Sequence, residues 1–274
     1  MQAEIVLLTK SYNAIDLREW LDWHLRRCRF DIVHIIDNES PIDVESIAKD
    51  YIDNGQVTYT KVSGRPLQYK IYDEYVNKIH SKKRWVICLD DDEYFYFNPE
   101  KFESVKDVIE TYKKKFPSMK MLSVVWKFMW PEDLFAERNG KSTLKFCTND
   151  SKLFTLGIIG KKRAFLVKTL VNTAGKVHYQ TSEENPDGGH IPRHSEIRYA
   201  LTCNGDLLFS NKSTGMFSYE SVQNHDIRIL HCKYRSLEDF MSKSHAQVSS
   251  VKDKTKVSDK LIIKNIKRLG MRKP

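Results

Sequence analysis

Four consecutive carboxylates, Asp90, Asp91, Asp92 and Glu93, close the apolar run WVICL at 85–89. Side by side they repel one another, and holding them together is costly unless a cation neutralises them or water solvates them. Hard divalent ions bind carboxylate oxygens and bridge them to phosphates. In an extended segment Asp90 and Asp92 point to one side, because side chains alternate with a period of two. That places one on a metal and the other on the same metal or on a ribose. A solvated acidic turn fits the same residues, but the end of a buried strand is where ligands bind in an open α/β sheet.

Other polar groups occupy equivalent positions. Thr9 and Lys10 follow the apolar EIVLL. Asp37-Asn38-Glu39-Ser40 follows DIVHII, and an aspartate there can accept hydrogen bonds from a base or a ribose. An Asx-turn or a helix N-cap uses these residue types equally well, and for this cluster alone the turn is the better reading. Arg65 and Gln68 come after a third run, QVTYTKV. A guanidinium forks onto diphosphate oxygens and an amide can read a base edge, although a surface pair is the default for two such residues. His24 lies on an apolar helical stripe and reads as a core histidine. His231 follows the apolar RIL and precedes Cys232-Lys233-Tyr234-Arg235, where a neutral imidazole can complete a metal shell or meet a phosphate. His178, His190, His194 and His225 have no such context.

The elements that must position these groups alternate. Strands are predicted at 4–9, 31–37, 56–62, 85–90 and 121–126. Helices fall between them: a stripe of Leu17, Trp20, Leu21, His24, Leu25 and Cys28, a second helix ending near Asn54-Gly55, a third over about 69–79 and a fourth over about 104–115. Strands separated by helices pair in parallel in an open sheet covered on both faces. The second half is less regular, and TSEENPDGGHIPRHSE at 181–196 reads as a long loop, either a lid or a plain surface connection.

Composition narrows the class further. The 274 residues, 41% hydrophobic, suit one large α/β domain. No apolar run approaches the ~20 residues that span a bilayer, and the opening MQAEIVLLTK lacks the pattern of a signal peptide. Five widely spaced cysteines without a C-x-x-C suit reduced thiols in a reducing, cytoplasmic compartment rather than a disulfide framework or a zinc knuckle. The tail at 251–274 holds nine basic and two acidic residues, so it carries +7 of the net +9 and the body at 1–250 is nearly neutral. Ile262, Ile266 and Leu269 stripe that tail at helical spacing. A basic amphipathic helix suits peripheral contact with an anionic membrane, and a helix packed on the body fits the stripe as well. The body shows no stacking motif or known DNA-binding module, so no specific nucleic-acid partner is expected.

Several segments then fall into a familiar order: LREWLDWH (17–24), DNES (37–40), WVICLDDDEY (85–94), VVWKF (124–128) and ILHCKYRSLEDFMSK (229–243). Together they resemble the family-92-like glycosyltransferases, relatives of the large family-2 group, over about residues 4–243. The resemblance implies a GT-A fold, here a Rossmann-like open sheet with helices on both faces and a mixed second half. It also implies a nucleotide-sugar donor and a manganese or magnesium ion. Asp37 would touch the nucleoside, Asp90 and Asp92 would form the Asp-x-Asp pair, and His231 would be a late ligand to metal or phosphate. The chain departs from the family at Asn13, where an acidic residue is usual, and at Tyr94, Met129 and Cys232, which replace Phe, Gly and Tyr.

On that reading the chain is a metal-dependent glycosyltransferase. It would move a sugar, from a UDP-sugar by preference, to a glycan or lipid-linked acceptor with inversion. The diphosphate would lie on Asp90, Asp91 and Asp92, and the metal with Arg65 or Lys233 would neutralise it as it leaves. A carboxylate on the opposite sugar face takes the acceptor's proton; Asp133 is the first candidate and Glu132 the second, in WPED after the fifth strand. A Pro-Glu-Asp that merely starts a helix is an equal alternative. Glu183, Glu184 and Asp187 of the long loop are further candidates. Trp126, Phe128 and Trp130 would form an apolar wall for the acceptor. Two other classes compete: a nucleotidyltransferase or pyrophosphorylase, disfavoured because residues 9–16 contain no glycine, and an inactive relative that binds nucleotide or a partner.

Overall fold

The computed structural model describes residues 1–9, 11, 13–64, 68–78, 84–131, 141, 143–147, 149–150, 157–159, 162–164, 167–179, 191–209, 226–232 and 235. The boundary at residue 250, the basic tail and residues 180–190 lie outside them.

The first half alternates as its apolar pattern predicts: β1 (Ala3–Thr9), α1 (Ala14–Asp22), β2 (Ile32–Asn38), α2 (Val44–Ile47), α3 (Lys49–Asp53), β3 (Val57–Val62), α4 (Gln68–Lys78) and β4 (Trp85–Leu89). The four strands pair in parallel in the order β3-β2-β1-β4. Next come β5 (Glu93–Phe97), α5 (Val105–Lys115), β6 (Met121–Trp130), α6 (Thr143–Phe146), β7 (Asn149–Asp150), β8 (Gly157–Ile159), β9 (Lys162–Ala164) and β10 (Val167–Asn172). The chain continues through β11 (Val177–His178), β12 (Arg193–His194), β13 (Tyr199–Thr202), β14 (Leu207–Phe209) and β15 (Ile227–His231). Beyond β4 the main sheet runs β10-β6-β13-β14, with β10 antiparallel to both of its neighbours. The fifth predicted strand, β6, is therefore not next to β4. β15 lies parallel to the second half of β6 and antiparallel to β5.

The α/β class expected from the sequence is the class observed: an open Rossmann-like sheet, parallel in its first half, mixed in its second, with helices on both faces. Strand alternation explains the two layers. Ala3, Ile5 and Leu7 of β1, with Trp85, Ile87 and Leu89 of β4, face α1, α3 and α5 through Leu17, Trp20, Tyr51, Val105 and Val108. Val6, Ile36, Val86 and Cys88 face the other way, onto Tyr72 and Val76 of α4. Among the described residues no helix is long and apolar enough to cross a membrane. All five cysteines are free and buried.

Two local devices bear on the site. Asn13 is the N-cap of α1, its side chain accepting from the amides of Ile15 and Asp16. Asparagine at this position thus has a structural role. After Asp22 the helix widens into a π-turn, Trp23–Arg27, in which the Cys28 amide donates to the Trp23 carbonyl at 2.8 Å. Trp20 of α1 donates its indole N–H to the Glu93 carbonyl (2.8 Å) and Trp23 of the π-turn donates to that of Phe95 (2.7 Å), so two indoles hold β5 against the helix. His24 is a core histidine, as predicted. Its Nδ1 lies 2.8 Å from the Trp20 carbonyl and its Nε2 accepts from the Phe95 amide, while burial pushes its pKa down to about 3.

Candidate active site

In the order β3-β2-β1-β4 the chain leaves β1 toward β2 on one side and later returns to β4 on the other. The crevice of an open α/β sheet forms at such a reversal, outside the carboxyl ends of the strands. Thr9 and Ser11 lie at that end of β1, and the four carboxylates lie at that end of β4.

The carboxylates are not in an extended segment. The Glu93 amide donates to the Asp90 carbonyl at 3.1 Å, and the Asp90 amide donates to Glu93 Oε2 at 2.9 Å, closing a tight turn. The expectation from period-two alternation, that Asp90 and Asp92 share a side, therefore fails. β4 ends at Leu89 and β5 restarts at Glu93, so the intervening residues follow turn geometry. Each carboxylate has its own surroundings. Asp90 Oδ1 accepts from Gln68 Nε2 at 2.9 Å, and its Oδ2 lies 3.3 Å from Lys168 Nζ. Asp91 Oδ2 accepts from Thr9 Oγ1 (3.2 Å) and Ser11 Oγ (2.8 Å), and its Oδ1 accepts from Arg235 at 3.1 Å. Asp92 Oδ1 lies 3.4 Å from His231 Nε2, and the Asp92 carbonyl accepts from the Cys232 amide at 2.8 Å. Glu93, fully buried, meets Lys168 at 3.1 Å.

Two buried cations thus answer the repulsion that the sequence poses. Burial works against the ammonium of Lys168, but Asp90 and Glu93 outweigh it and hold its pKa above that of an ordinary lysine. Arg235 is likewise held fully charged against burial by Asp91, Asp16 and Asp92. Burial pushes the Glu93 carboxyl up, with Lys168 pulling it back. Neither cation is singled out by sequence reasoning. Lys168 carries one signal, a lone lysine in the apolar strand VKTLVN, on the same face as the buried Leu170. Arg235 lies in the late segment that carries the resemblance but has no local signal of its own.

Of the expected donor-binding residues, Thr9, Gln68, Asp90 and Asp91 come together at this crevice. Asp37 lies one strand over at 2% exposure, its Oδ1 accepting from the Ser40 amide (2.9 Å) and its Oδ2 from the Tyr59 hydroxyl (2.8 Å). This is the Asx-type turn; it fixes Ser40, whose Oγ accepts from the Ser11 amide at 2.8 Å and so ties the β1 and β2 loops. Burial and then Asp37 push the Tyr59 phenol up to about 12. Lys10, Arg65, Lys233, Glu132 and Asp133 lie outside the described residues, as do the side chains of Phe128 and Trp130. Trp126 is buried, its ring centroid 4.3 Å from that of His231.

The expected metal ligands come together only in part. Among the described residues no three His, Cys, Asp or Glu side chains converge to hold an ion, so Asp90 does not join Asp92 and His231. The facing pair itself, a hard carboxylate oxygen and an imidazole nitrogen, fits a manganese or magnesium ion as two of its ligands. Such ions commonly take one or two protein ligands and complete their shell with water and phosphate.

No protein-family model matches the chain, and no curated protein matches it. Solved structures do. S. aureus TarS 1-349 in complex with UDP-GlcNAc is similar at 15% identity and a TM-score of 0.39, over 78% of this chain and 57% of that one. The chain thus spans little more than half the length of that relative. A 4-diphosphocytidyl-2C-methyl-D-erythritol synthase from Anaerococcus prevotii is similar at 12% identity and a TM-score of 0.32, over 63% of this chain and 70% of that one. Both likenesses are distant, and the activity of this chain has to be read from its own site.

Proposed function

We propose that the chain is a glycosyltransferase that moves a sugar from a nucleotide-diphosphate sugar, a UDP-sugar by preference, to a glycan or lipid-linked acceptor with inversion. The observation that carries this reading is the acidic turn at the β1/β4 crevice, with Asp92 facing His231 at 3.4 Å. Asp92 and His231 would hold a manganese or magnesium ion, which when bound supplies positive charge to the leaving diphosphate. Gln68 and Asp90, at the N-terminus of α4 and the end of β4, offer an amide and a carboxylate to the sugar nucleotide. Thr9, Ser11 and Arg235 hold Asp91 in place, so the turn does not reorganise during transfer. Lys10, Arg65 and Lys233 follow in the chain close to these elements and are proposed as further diphosphate contacts.

The test is a panel of nucleotide sugars with manganese, reading released nucleoside diphosphate. Release specific to one donor and abolished by EDTA is the expected result. Silence across the panel, together with no metal-dependent binding of any nucleotide, would replace this reading with that of an inactive relative.

For the base we propose Asp133, with Glu132 second, in the three residues that follow Trp130 at the end of β6. Asp133→Asn is expected to lower transfer by about 10²–10⁴-fold, the usual contribution of a general base. Nucleotide binding should be unchanged by calorimetry. Turnover at the wild-type rate would remove Asp133 from the role.

A further inference from the structure

At the amino ends of the parallel strands, away from the acidic turn, four polar side chains form a row across the sheet. Arg84 precedes β4, Glu4 lies near the start of β1, and His34 lies in β2. Thr58 lies in the outermost strand β3, directly across from His34. Glu4 is fully buried and His34 is 5% exposed, whereas Thr58 is open to solvent. A buried carboxylate in an apolar layer is costly, and a position that needed only filling would take an apolar side chain at lower cost. Here the carboxylate is paired and aimed. Arg84 donates to Glu4 Oε1, and Glu4 Oε2 lies 2.9 Å from His34 Nε2. A carboxylate only accepts, so in the neutral ring the proton sits on Nε2 and Nδ1 presents a lone pair. That lone pair faces two hydroxyls, Thr58 Oγ1 at 2.7 Å and Tyr75 Oη of α4 at 3.0 Å, with 3.2 Å between them.

A hydroxyl, an imidazole and a carboxylate in hydrogen-bonded sequence are what activates a nucleophile: the base reaches the hydroxyl and a third group orients the base. We propose that Thr58 is an acyl-accepting nucleophile, with His34 as its general base and Glu4 as the residue that positions His34. A β-branched hydroxyl is crowded at Cβ, so the substrate class is an ester with a small acyl group and a good leaving group. In the step, an electron pair of Oγ1 attacks the ester carbonyl carbon and the hydroxyl proton passes to His34 Nδ1. The bond from that carbon to the leaving oxygen breaks, and the leaving group departs with the electron pair. The imidazolium so formed faces the Glu4 carboxylate, which stabilises its charge, and then gives its proton to the leaving group or to water. The product is an O-acyl threonine. Tyr75 is the competing hydroxyl, less exposed than Thr58 and farther from Nδ1. None of these residues belongs to the crevice at the carboxyl ends of the strands, so the inference does not rest on the transferase reading.

The experiment treats the full chain with p-nitrophenyl acetate, follows released p-nitrophenolate, and maps the acetyl groups by peptide mass spectrometry. Wild type is expected to carry an acetyl group on Thr58. Thr60, exposed two residues along the same strand, is the internal reference, and Thr58 should label about 10²-fold faster or more. His34→Gln should slow labelling of Thr58 by about 10²–10⁴-fold, the usual contribution of a general base, and Glu4→Gln by about tenfold or more. Thr58→Val changes an exposed side chain, so the fold should hold while the label at this position disappears. Thr58→Ser should label at least as fast as wild type, because a primary hydroxyl is less crowded. Acetyl groups confined to lysines or to Tyr75 would overturn the proposal. So would labelling of Thr58 that a folded His34→Gln chain does not slow. If neither His34→Gln nor Glu4→Gln folds, the wild-type comparison of Thr58 with Thr60 decides, and equal rates overturn the proposal. The nucleotide-sugar panel bears on none of these outcomes.

Discussion

Asp92→Asn is expected to reduce donor turnover by about 10²–10³-fold, the loss seen when one preorganised electrostatic group is removed from a buried site. The side chain is nearly buried, and its Oδ1 faces His231 Nε2 at 3.4 Å. Asparagine keeps the shape but not the charge, and a neutral amide oxygen is a much poorer ligand for a hard divalent ion than a carboxylate. The backbone contact that fixes β15 to the turn, from the Cys232 amide to the Asp92 carbonyl, does not depend on the side chain and should persist. Stability should therefore hold or rise slightly, since one of four crowded carboxylates loses its charge. Turnover assays at saturating manganese, paired with thermal melts, separate the two effects. A folded variant with wild-type turnover would remove Asp92 from the catalytic site.

What the sequence makes legible around this turn, and what it does not, follows from which interactions are local. The apolar runs of β1 to β4 and the stripe on α1 repeat with periods that a short window detects, so the parallel half of the sheet and the position of the acidic turn were legible. His24 was legible for the same reason. Glu93–Phe97 was not recognised as a strand, because its pairing partner, β15, lies some 130 residues later. The geometry of the turn was misjudged because alternation applies only while a strand continues, and β4 stops at Leu89. Lys168 and Arg235 were missed because each meets its carboxylate across a separation of 78 or 144 residues, and a charge in an apolar run does not state what it faces. Asp37 illustrates the opposite limit. An aspartate at a strand end can serve a ligand or a turn, and here its two oxygens serve Ser40 and Tyr59. The Asp92–His231 pair was the long-range contact that sequence order did suggest, through the resemblance rather than through any local pattern.

Arg235→Leu is expected to cost about 3–5 kcal/mol of stability, the range found when one member of a buried ion-pair network is deleted. The guanidinium bridges Asp16 on α1 at 2.9 Å and Asp91 in the acidic turn at 3.1 Å, and all three side chains are largely shielded from water. Asp16 also accepts from Thr143 Oγ1 at 2.7 Å, so the same centre ties α6 to α1. Leucine fills part of the volume but leaves two carboxylates without their cation. Hydrogen bonds from Thr143, Thr9 and Ser11 solvate those carboxylates and cannot neutralise them. The loss should appear as a lower urea midpoint at an unchanged slope. Adding Asp16→Asn should recover part of it, because removing both members of a buried pair is far less costly than removing one. A loss below about 1 kcal/mol, the scale of an exposed ion pair, would show that water reaches this network. The same variant should impair donor turnover more than its remaining stability predicts. Arg235 is what holds Asp91 Oδ1, and Asp91 lies between Asp90, which faces Gln68, and Asp92, which faces His231. A turn whose middle residue can reorient no longer presents its two neighbours in a fixed relation, and electrostatic stabilisation depends on that relation being set before the charge develops.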